Sequence, residues 1–379
     1  MAEAPTAEAA IPHPPAAVAQ AGGGRGSGSS SLAARQGVQE QDYDVFGRDE
    51  LVMVLSHYDL GVVTHIEEFR RGSRRAPKLV IRTDRGQFLL KRRAPGRDEQ
   101  TKVIFSHAIQ AQLAAKQFPL PHLIRTRDTD DTMLTLDGSV YEIFEYIPGH
   151  NYNQSLQSTG DSGRVLALYH KLLETFRAPV APPDGSYHAA PAVEKGFDRI
   201  LRHLSKRGGE VAPTCRFLLD SYLHARDSAE DAGISRWPVQ IVHGDWHPGN
   251  MLFRDNRVTA VIDYDSARTL PRVIDTANGA LQFSILGGGD DLSQWPDYLD
   301  ESRFKRFLRS YDGVTLLSQA ELRATPWLMI EALVAEAVYP IAATGQFGKL
   351  EGTSFLGMVQ RKVVWLQQHA DRLVELMSN

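Results

Sequence analysis

The chain has 379 residues, of which 42% are hydrophobic and 23% charged, so it can bury a large core and form two or three structural units. Its 42 Lys and Arg against 46 Asp and Glu give a formal net charge of -4, which argues against a general nucleic-acid binder. The single cysteine, Cys215, excludes a disulfide framework and is typical of a protein of the reducing cytoplasm.

Residues 1–42 are rich in Ala, Pro, Gly and Ser and poor in aromatic and long aliphatic side chains. Such a segment cannot bury enough apolar surface to offset its chain entropy, so we predict a disordered tail. It has no long apolar stretch after a basic start and does not resemble a signal peptide. No later run is predicted to be long and apolar enough to span a membrane, and no membrane partner is expected.

From residue 43 the sequence becomes globular and rich in β signals. Two alternating segments are separated by Asp84-Arg85-Gly86, which strongly indicates a hairpin. A Pro/Gly break at 145–149 indicates a hinge that leads into a second, helical part. The helices and strands predicted before this break cover 49–58, 62–69, 78–83, 87–91, 98–117, 133–136 and 140–144.

After the break, apolar residues recur with helical spacing. Val165, Leu168, Tyr169, Leu172 and Leu173 fall on one face of an amphipathic helix, and His170 beside them is interpreted as structural. Further helices are predicted over 193–205, 214–231, 319–339 and 355–377. An acidic stretch over 290–301 could meet a cationic substrate, although such a run is more often a solvated face.

The segment 241–265 carries the chemistry. Short apolar runs at 240–242 and 251–253 flank a Gly/Pro-containing stretch, so 243–250 is predicted to be a loop between two strands. A third strand over 258–262 ends at Asp263. We therefore expect Asp245 and Asp263 at the ends of neighbouring strands, with the Asn250 carboxamide nearby.

These groups suit phosphate chemistry, because Mg²⁺ prefers oxygen ligands and keeps substrate phosphates in its shell. Asn250 and Asp263 are the predicted metal ligands, and Asp245 is then free to act on an acceptor hydroxyl. Asp265 is either a further ligand or a cap on the following turn. His243 is interpreted as a hydrogen-bonding brace of the loop, and His247 as a packed loop residue.

The run His243-Gly-Asp-Trp-His-Pro-Gly-Asn250, followed by Ile262-Asp-Tyr-Asp265, resembles the aminoglycoside phosphotransferase and choline kinase superfamily. Within it the chain is most similar to the branch that contains spore-coat kinases, type II homoserine kinase and stress-response kinases. The resemblance covers nearly all of the globular chain. It implies an α+β, two-lobed, protein-kinase-like fold, with a small antiparallel β-sheet lobe over 43–147 and a mainly helical lobe over 148–379.

The resemblance also implies that ATP and Mg²⁺ are used. It places Lys91 where a lysine contacts the α and β phosphates, although a surface lysine, with Arg92 and Arg93 as decoys, is the alternative. Gly72 and Ser73 are what remains of a Gly-rich phosphate loop. The backbone of Glu145, Tyr146 and Ile147 is implied to bind adenine.

The predicted helix over 98–117 lies where kinases supply a glutamate to the lysine. The matching position falls near Ser106 or His107, neither of which is acidic, and Glu99 would require a shift of two turns. The partner of Lys91 is therefore left open. Asp275 resembles the family's helix-opening aspartate and is assigned to capping and loop bracing.

Asp275 lies only twelve positions after Asp263, which is too short for a peptide-docking activation segment. We therefore predict transfer of the ATP γ-phosphate to a hydroxyl of a small molecule, such as an amino alcohol, aminoglycoside, homoserine-like compound or sugar, by a monomer or homodimer. The alternatives are a serine/threonine protein kinase of the stress-response type and a nucleotide-binding module without turnover. A remote one is a metal-dependent hydrolase that uses His243, Asp245 and His247 with Asp263.

Overall fold

The computed structural model of the chain describes residues 44–70, 75–204, 211–289 and 291–378. The predicted tail over 1–42 lies outside these residues, and so do Gly72 and Ser73. The described chain divides into two compact units between Pro148 and Gly149. We call residues 44–148 with 178–181 the small unit and the remainder the large unit.

The small unit is built on an antiparallel sheet. Its elements are α1 Arg48–Ser56, β1 Val63–Glu68, β2 Lys78–Thr83, β3 Gly86–Arg92, α2 Gln100–Ala115, β4 Leu123–Ile124, β5 Leu134–Leu136 and β6 Ser139–Glu145. The described strands pair in the order β1-β2-β3-β6-β4, and β5 also pairs with β6. The hairpin and the long helix predicted from the sequence are both present.

The register of this sheet separates an apolar face from a charged one. Leu79, Leu90 and Ile143 lie opposite one another on β2, β3 and β6 and are buried in the core that includes α1. Successive side chains of a strand point to opposite faces. Lys91 and its cross-strand partner Glu142 therefore lie on the other face.

The large unit is mainly helical. Its elements are α3 Leu156–Leu173, α4 Pro191–Leu204, α5 Val211–Ala232, β7 Val239–Val242, β8 Met251–Arg254, β9 Arg257–Val261, β10 Arg268–Pro271, α6 Val273–Ser284, α7 Glu301–Asp312, α8 Gln319–Thr344, β11 Gln346–Phe347, β12 Leu350–Glu351 and α9 Gly352–Ser378. Together with the β-sheet unit, this gives the predicted α+β class.

The strands of the large unit pair differently from the prediction. β7 pairs with β10, and β8 pairs with β9. Asp245 follows β7 whereas Asp263 follows β9, so the expectation that they end neighbouring strands is wrong. β10 is not among the strands predicted from the sequence, and it covers one edge of β7.

Helix α8 runs through the core of the large unit. By length and composition it could span a membrane, so the prediction that no run is long and apolar enough is wrong for this helix. However, 72% of its most apolar window is buried inside the protein, where it packs against α5, α6 and α9. A buried core helix satisfies the same test.

The acidic stretch over 290–301 leads into α7, and the described carboxylates in it have partners of their own. Asp300 accepts hydrogen bonds from the Arg303 backbone and side chain at the start of the helix. Asp297 pairs with Arg361 at 2.6 Å. Because these partners belong to the same chain, the stretch braces α7 and α9 and is poorly suited to a cationic substrate.

Candidate active site

Asp275 of α6 fixes the position of the loop between β7 and β8. This carboxylate is fully buried, and its two oxygens accept hydrogen bonds from the backbone N–H groups of His243 at 2.6 Å and Gly244 at 2.8 Å. His170 adds a contact from its Nε2 to Asp275 Oδ2 at 3.2 Å. The predicted loop-bracing role of Asp275 and the structural reading of His170 are confirmed.

Asp275 does not cap α6, so that part of its assignment is wrong. The residue before the helix is Arg272, and Asp275 occupies the third helical position. From this position in the first turn of the helix, its carboxylate reaches the backbone of the loop. A carboxylate that accepts two backbone N–H bonds is a strong, charge-assisted brace.

Gly244 is required by the path of the loop. Its φ is +77°, and a Cβ added to it would lie 2.2 Å from the backbone oxygen of Ser266. Only glycine adopts this conformation without strain and permits this approach. The loop is therefore held against the segment that follows Asp263.

The His243 side chain is buried in an aromatic cluster. Its ring lies 6.0 Å from that of Tyr169, 5.4 Å from that of Trp246 and 5.2 Å from that of Tyr264, measured between centroids. Among the described residues its ring nitrogens have no hydrogen-bond partner, and burial lowers its pKa. The predicted hydrogen-bonding role of the ring is wrong; His243 braces the loop through its backbone N–H and its packing.

Asp245 is held by two neighbours in the same loop. Asn250 Nδ2 donates to Asp245 Oδ2 and to the Asp245 backbone oxygen, both at 3.0 Å. His247 Nδ1 accepts the Gly249 N–H, which places the proton on Nε2, 3.5 Å from Asp245 Oδ2. His247 is thus more than the packed loop residue predicted, since it orients the carboxylate.

These contacts set the ionisation of Asp245. Burial raises its pKa, but the charge and hydrogen bond of His247, together with the bond from Asn250, lower the pKa overall. The same interaction raises the pKa of His247 despite its own burial. Asp245 is therefore an anion at neutral pH, and its side chain is 23% exposed, so a ligand can reach it.

Asn250 and Asp263 are brought together across the β8–β9 hairpin. The Ile262 N–H donates to the Asn250 backbone oxygen at 2.9 Å, directly before Asp263. Asp263 is exposed and adopts a φ of 64°, in the left-handed region that is uncommon for residues other than glycine. Asp265 lies two residues further, in the 3₁₀ segment Tyr264–Ser266.

The donor set fits Mg²⁺. The Asn250 amide nitrogen is turned toward Asp245, so its oxygen is the atom that remains for a cation, beside an exposed carboxylate. One amide and one carboxylate oxygen suffice where substrate phosphates and water complete the shell. In the described part of the chain, no group of three or more His, Cys, Asp or Glu side chains is arranged to hold a metal, so the hydrolase alternative has no geometric support.

In the small unit, Lys91 has a partner that the sequence analysis missed. Its Nζ lies 3.6 Å from Oε2 of Glu142, a fully buried carboxylate on β6. Oε1 of Glu142 also contacts Arg93 at 2.7 Å and His107 at 2.6 Å. Burial raises the pKa of Glu142, but Lys91, Arg93 and His107 outweigh it and hold the pKa well below its usual value.

His107 explains why the predicted helix position lacks an acid. It lies on α2 at the position where the glutamate was expected, and it contacts Glu142 instead, while its Nδ1 is 2.8 Å from Thr132 Oγ1. Glu142 lies directly opposite Lys91 on the neighbouring strand. This pairing follows from the register of the strands and is not visible in the sequence alone. The strand thus supplies the carboxylate that the helix does not.

The predicted adenine-binding backbone is partly occupied. The Glu145 N–H donates to the His122 oxygen at 2.8 Å, and the Tyr146 N–H donates to the Gln87 oxygen at 2.9 Å. These two amide groups continue the pairing of β6 with β4 and with β3. An adenine contact would therefore use the Ile147 amide or a carbonyl oxygen of the segment.

Comparison with known proteins places this geometry in context. Residues 65–314 match the model of the phosphotransferase enzyme family. A homoserine kinase of Acidiphilium cryptum is 25% identical over 292 residues, which cover 74% of this chain and 81% of that protein.

Solved structures show the same fold. An aminoglycoside phosphotransferase from Alicyclobacillus acidocaldarius superposes with a TM-score of 0.58 at 16% identity, covering 89% of this chain and all (100%) of that one. A microcompartment-associated aminopropanol kinase gives a TM-score of 0.62 at 13% identity and covers 85% and 97% of the two chains.

Proposed function

Because the chain belongs to the phosphotransferase enzyme family, we propose that it is a kinase that uses ATP and Mg²⁺ to phosphorylate a hydroxyl of a small molecule. The observation that carries this proposal is Asp245: an ionised, accessible carboxylate, oriented by His247 and Asn250 in a loop that Asp275 makes rigid. A fixed carboxylate of this kind is what the acceptor hydroxyl of a kinase requires.

In the proposed reaction, Asp245 accepts the proton of the acceptor hydroxyl. The acceptor oxygen forms a bond to the γ-phosphorus, and the bond between that phosphorus and the bridging oxygen breaks, so that ADP leaves. Asn250 and Asp263 would hold Mg²⁺, whose positive charge offsets the charge of the phosphate oxygens. His247 orients Asp245 and keeps it ionised.

Lys91 is proposed to contact the nucleotide phosphates, with Glu142 as its positioning residue. Glu142 is suited to this role because Arg93 and His107 contact its Oε1 and hold it in place, which leaves its Oε2 directed at Lys91. A preorganised ion pair fixes where the ammonium group lies before any phosphate arrives.

The small size of the acceptor is supported by the segment after Asp263. In a protein kinase this segment is long and docks a peptide. Here it forms a short turn and then β10, whose residues pair with β7, and α6 begins at Val273. The relatives named as homoserine kinase and aminopropanol kinase are consistent with an amino alcohol among the possible acceptors.

Asp245→Asn tests the proposal. The substitution keeps the shape of the side chain but removes the proton acceptor, so transfer should fall by about 10²–10⁴-fold. The affinity for Mg·ATP, measured by calorimetry, should remain close to that of the wild type. Acceptors are found by screening amino alcohols, aminoglycosides, homoserine and sugars for stimulated ADP release.

Two results would contradict the proposal. Stimulated turnover that persists in Asp245→Asn would remove Asp245 from the chemistry. Nucleotide binding without turnover on any acceptor would favour the alternative of a binding module. We further propose that the enzyme acts in the cytoplasm as a monomer or homodimer, in keeping with its one cysteine, a buried free thiol.

A further inference from the structure

A surface pocket of about 420 Å³ lies in the large unit, and none of the residues that line it belongs to the catalytic loop. A volume of this size is in the range of sites that hold small molecules. The pocket forms where α3, α7 and the turn between β8 and β9 meet. The residues of its lining that carry the argument are Gly160, Asp161, Arg164, Arg257, Arg306 and Ser310.

The pocket and the predicted metal ligands lie at opposite ends of the β8–β9 hairpin. Asn250 and Asp263 flank the end at which Met251 pairs with Val261, whereas Arg257 lies at the turn. A strand rises by about 3.3 Å per residue, so the two ends of this short hairpin are about 10 Å apart. The pocket is therefore separate from the proposed phosphotransfer site.

The turn that forms one wall of the pocket is fixed by Asn256. Its Oδ1 accepts hydrogen bonds from three side chains at the start of α3 and just before it, at 2.8 Å from Asn153 and at 3.2 Å from Ser155 and Ser158. Because these bonds tie the turn to the helix, the backbone of this wall is in place before any ligand arrives.

Two arginines of the pocket share one buried carboxylate. Asp161 is 6% exposed, and its Oδ1 accepts hydrogen bonds from Arg164 Nε at 2.8 Å and from Arg257 Nη1 at 3.1 Å. Its Oδ2 accepts the Val258 N–H at 2.7 Å. A single negative charge thus holds two guanidinium groups together and cannot balance both.

A third guanidinium lies beside this pair. Arg306 Nε and Ser310 Oγ lie 2.7 and 2.8 Å from the point that a Cβ on Gly160 would occupy, and Gly160 directly precedes Asp161. In the described part of the chain, the Arg306 guanidinium has no hydrogen-bond or ion-pair partner. The lining carries three arginines and two aspartates, Asp161 and the exposed Asp255, which gives it a net charge of +1.

We propose that this pocket binds a phosphate group. Three guanidinium groups, contributed by α3, α7 and the hairpin turn, meet around one pocket. The planar fork of arginine matches the oxygens of a phosphate, and a phosphate ester has three such oxygens to share where a carboxylate has two. The Ser310 hydroxyl can donate a further hydrogen bond. The group can come from free inorganic phosphate or from an ester of a small molecule.

The test is calorimetric titration of the full chain, without nucleotide and at constant ionic strength. The probes are inorganic phosphate and glycerol 3-phosphate, with glycerol as the uncharged control. Arg306→Gln and, separately, Arg257→Gln should each weaken binding of phosphate by at least about tenfold, because each removes a charge-assisted hydrogen bond. Binding of both probes identifies an ester as the ligand, and binding of inorganic phosphate alone identifies the free ion.

Two further variants locate the binding. Arg309→Gln is the matched control, since Arg309 is an exposed arginine of α7 that does not line the pocket, and it should keep the affinity of the wild type. Lys91→Met should also keep it, because Lys91 belongs to the small unit.

Three results would overturn the inference: no binding of either probe, binding that survives in Arg306→Gln and Arg257→Gln, or an equal loss of binding in Arg309→Gln. A loss confined to Lys91→Met would do the same, because it would place the phosphate at the proposed nucleotide site. None of these measurements depends on phosphotransfer, so failure of the proposed function would leave this test intact.

Discussion

At the scale of single residues, strand β3 ends in three consecutive cations with different surroundings. Lys91 faces Glu142 and is 20% exposed, Arg92 pairs with Glu50 at 2.6 Å, and Arg93 is 4% exposed. Only one of these side chains combines access to a ligand with the buried carboxylate. Their neighbours therefore predict three different mutant phenotypes.

Lys91→Met should weaken Mg·ATP binding by at least about tenfold, because it removes a phosphate contact. Arg92→Met should leave binding close to the wild type. Arg93→Met should lower the free energy of unfolding by about 3 kcal/mol, because it removes a buried partner of Glu142. Calorimetry and urea unfolding separate the effects, and equal losses of affinity in Lys91→Met and Arg92→Met would show that the assignment of Lys91 is wrong.

Asp263 and Asp265 form a second matched comparison. Asp263→Ala should reduce Mg·ATP affinity by at least about tenfold, because it removes an anionic ligand of the metal. Asp265→Ala should have the smaller effect. Asp263 directly follows Ile262, which bonds to the Asn250 backbone, whereas Asp265 lies two residues further along the chain. The measurement is a Mg²⁺ titration at fixed ATP, and an unchanged affinity in Asp263→Ala would remove that residue from the site.

Residues of the contiguous motif were predictable, whereas their distant partners were not. Asp245, Asn250 and Asp263 lie within one stretch, so spacing alone groups them. Glu142 is 51 positions from Lys91, and it meets that residue only through the pairing of β3 with β6. Gln282 of α6 likewise donates to Glu336 of α8 across 54 positions, a contact that no local pattern encodes.

At the scale of elements, the catalytic loop depends on its contact with the turn before β10. Gly244→Ala should lower the free energy of unfolding by at least about 2 kcal/mol, because it adds a clash with Ser266 to an unfavourable φ. Gly345→Ala is the control, since Gly345 has the same φ of +77° but nothing within 4 Å of its added Cβ.

The control should cost about 1 kcal/mol, which is the strain of the left-handed conformation alone. Gly244→Ala should also lose phosphotransfer, while Gly345→Ala keeps it. Chemical unfolding and a transfer assay measure the two effects. Equal destabilisation by both substitutions would mean that the approach of the loop to Ser266 contributes nothing.

Elements with a strong local sequence signal were predicted well. An element whose charged residues dominated the interpretation was missed, and so was a short strand. The hairpin of β2 and β3 has alternating side chains and a glycine turn, so its bounds followed from the sequence. Helix α7 has buried Phe304, Phe307, Leu308 and Tyr311 at helical spacing. The acidic residues at its start indicated a solvated face, and the helix itself was not predicted. β10 has only four residues and ends in Pro271, which weakens its strand signal.

At the scale of the whole molecule, the motif predicted the fold class because its loop is tied to a particular surrounding structure. Asp275 of α6, His170 of α3 and Tyr311 of α7 form a hydrogen-bonded chain behind the loop. The identity of the acceptor could not be predicted from the motif in the same way. Fold and substrate are specified by different parts of the sequence.

The last prediction concerns the kind of acceptor. The twelve residues after Asp263 are committed to a 3₁₀ turn, to β10 and to the start of α6, and the backbone of β10 is paired with β7. These elements leave no room for the longer activation segment on which a protein kinase docks its peptide. We therefore expect that casein and myelin basic protein, supplied as generic substrates with Mg·ATP, gain no phosphoserine or phosphothreonine above the background of Asp245→Asn. A small hydroxylated acceptor should instead stimulate ADP release.

Mass spectrometry of the proteins and the release assay are run on the same preparation, so that an inactive sample is recognised. Phosphorylation of the proteins without stimulation by any small molecule would instead favour a serine/threonine protein kinase.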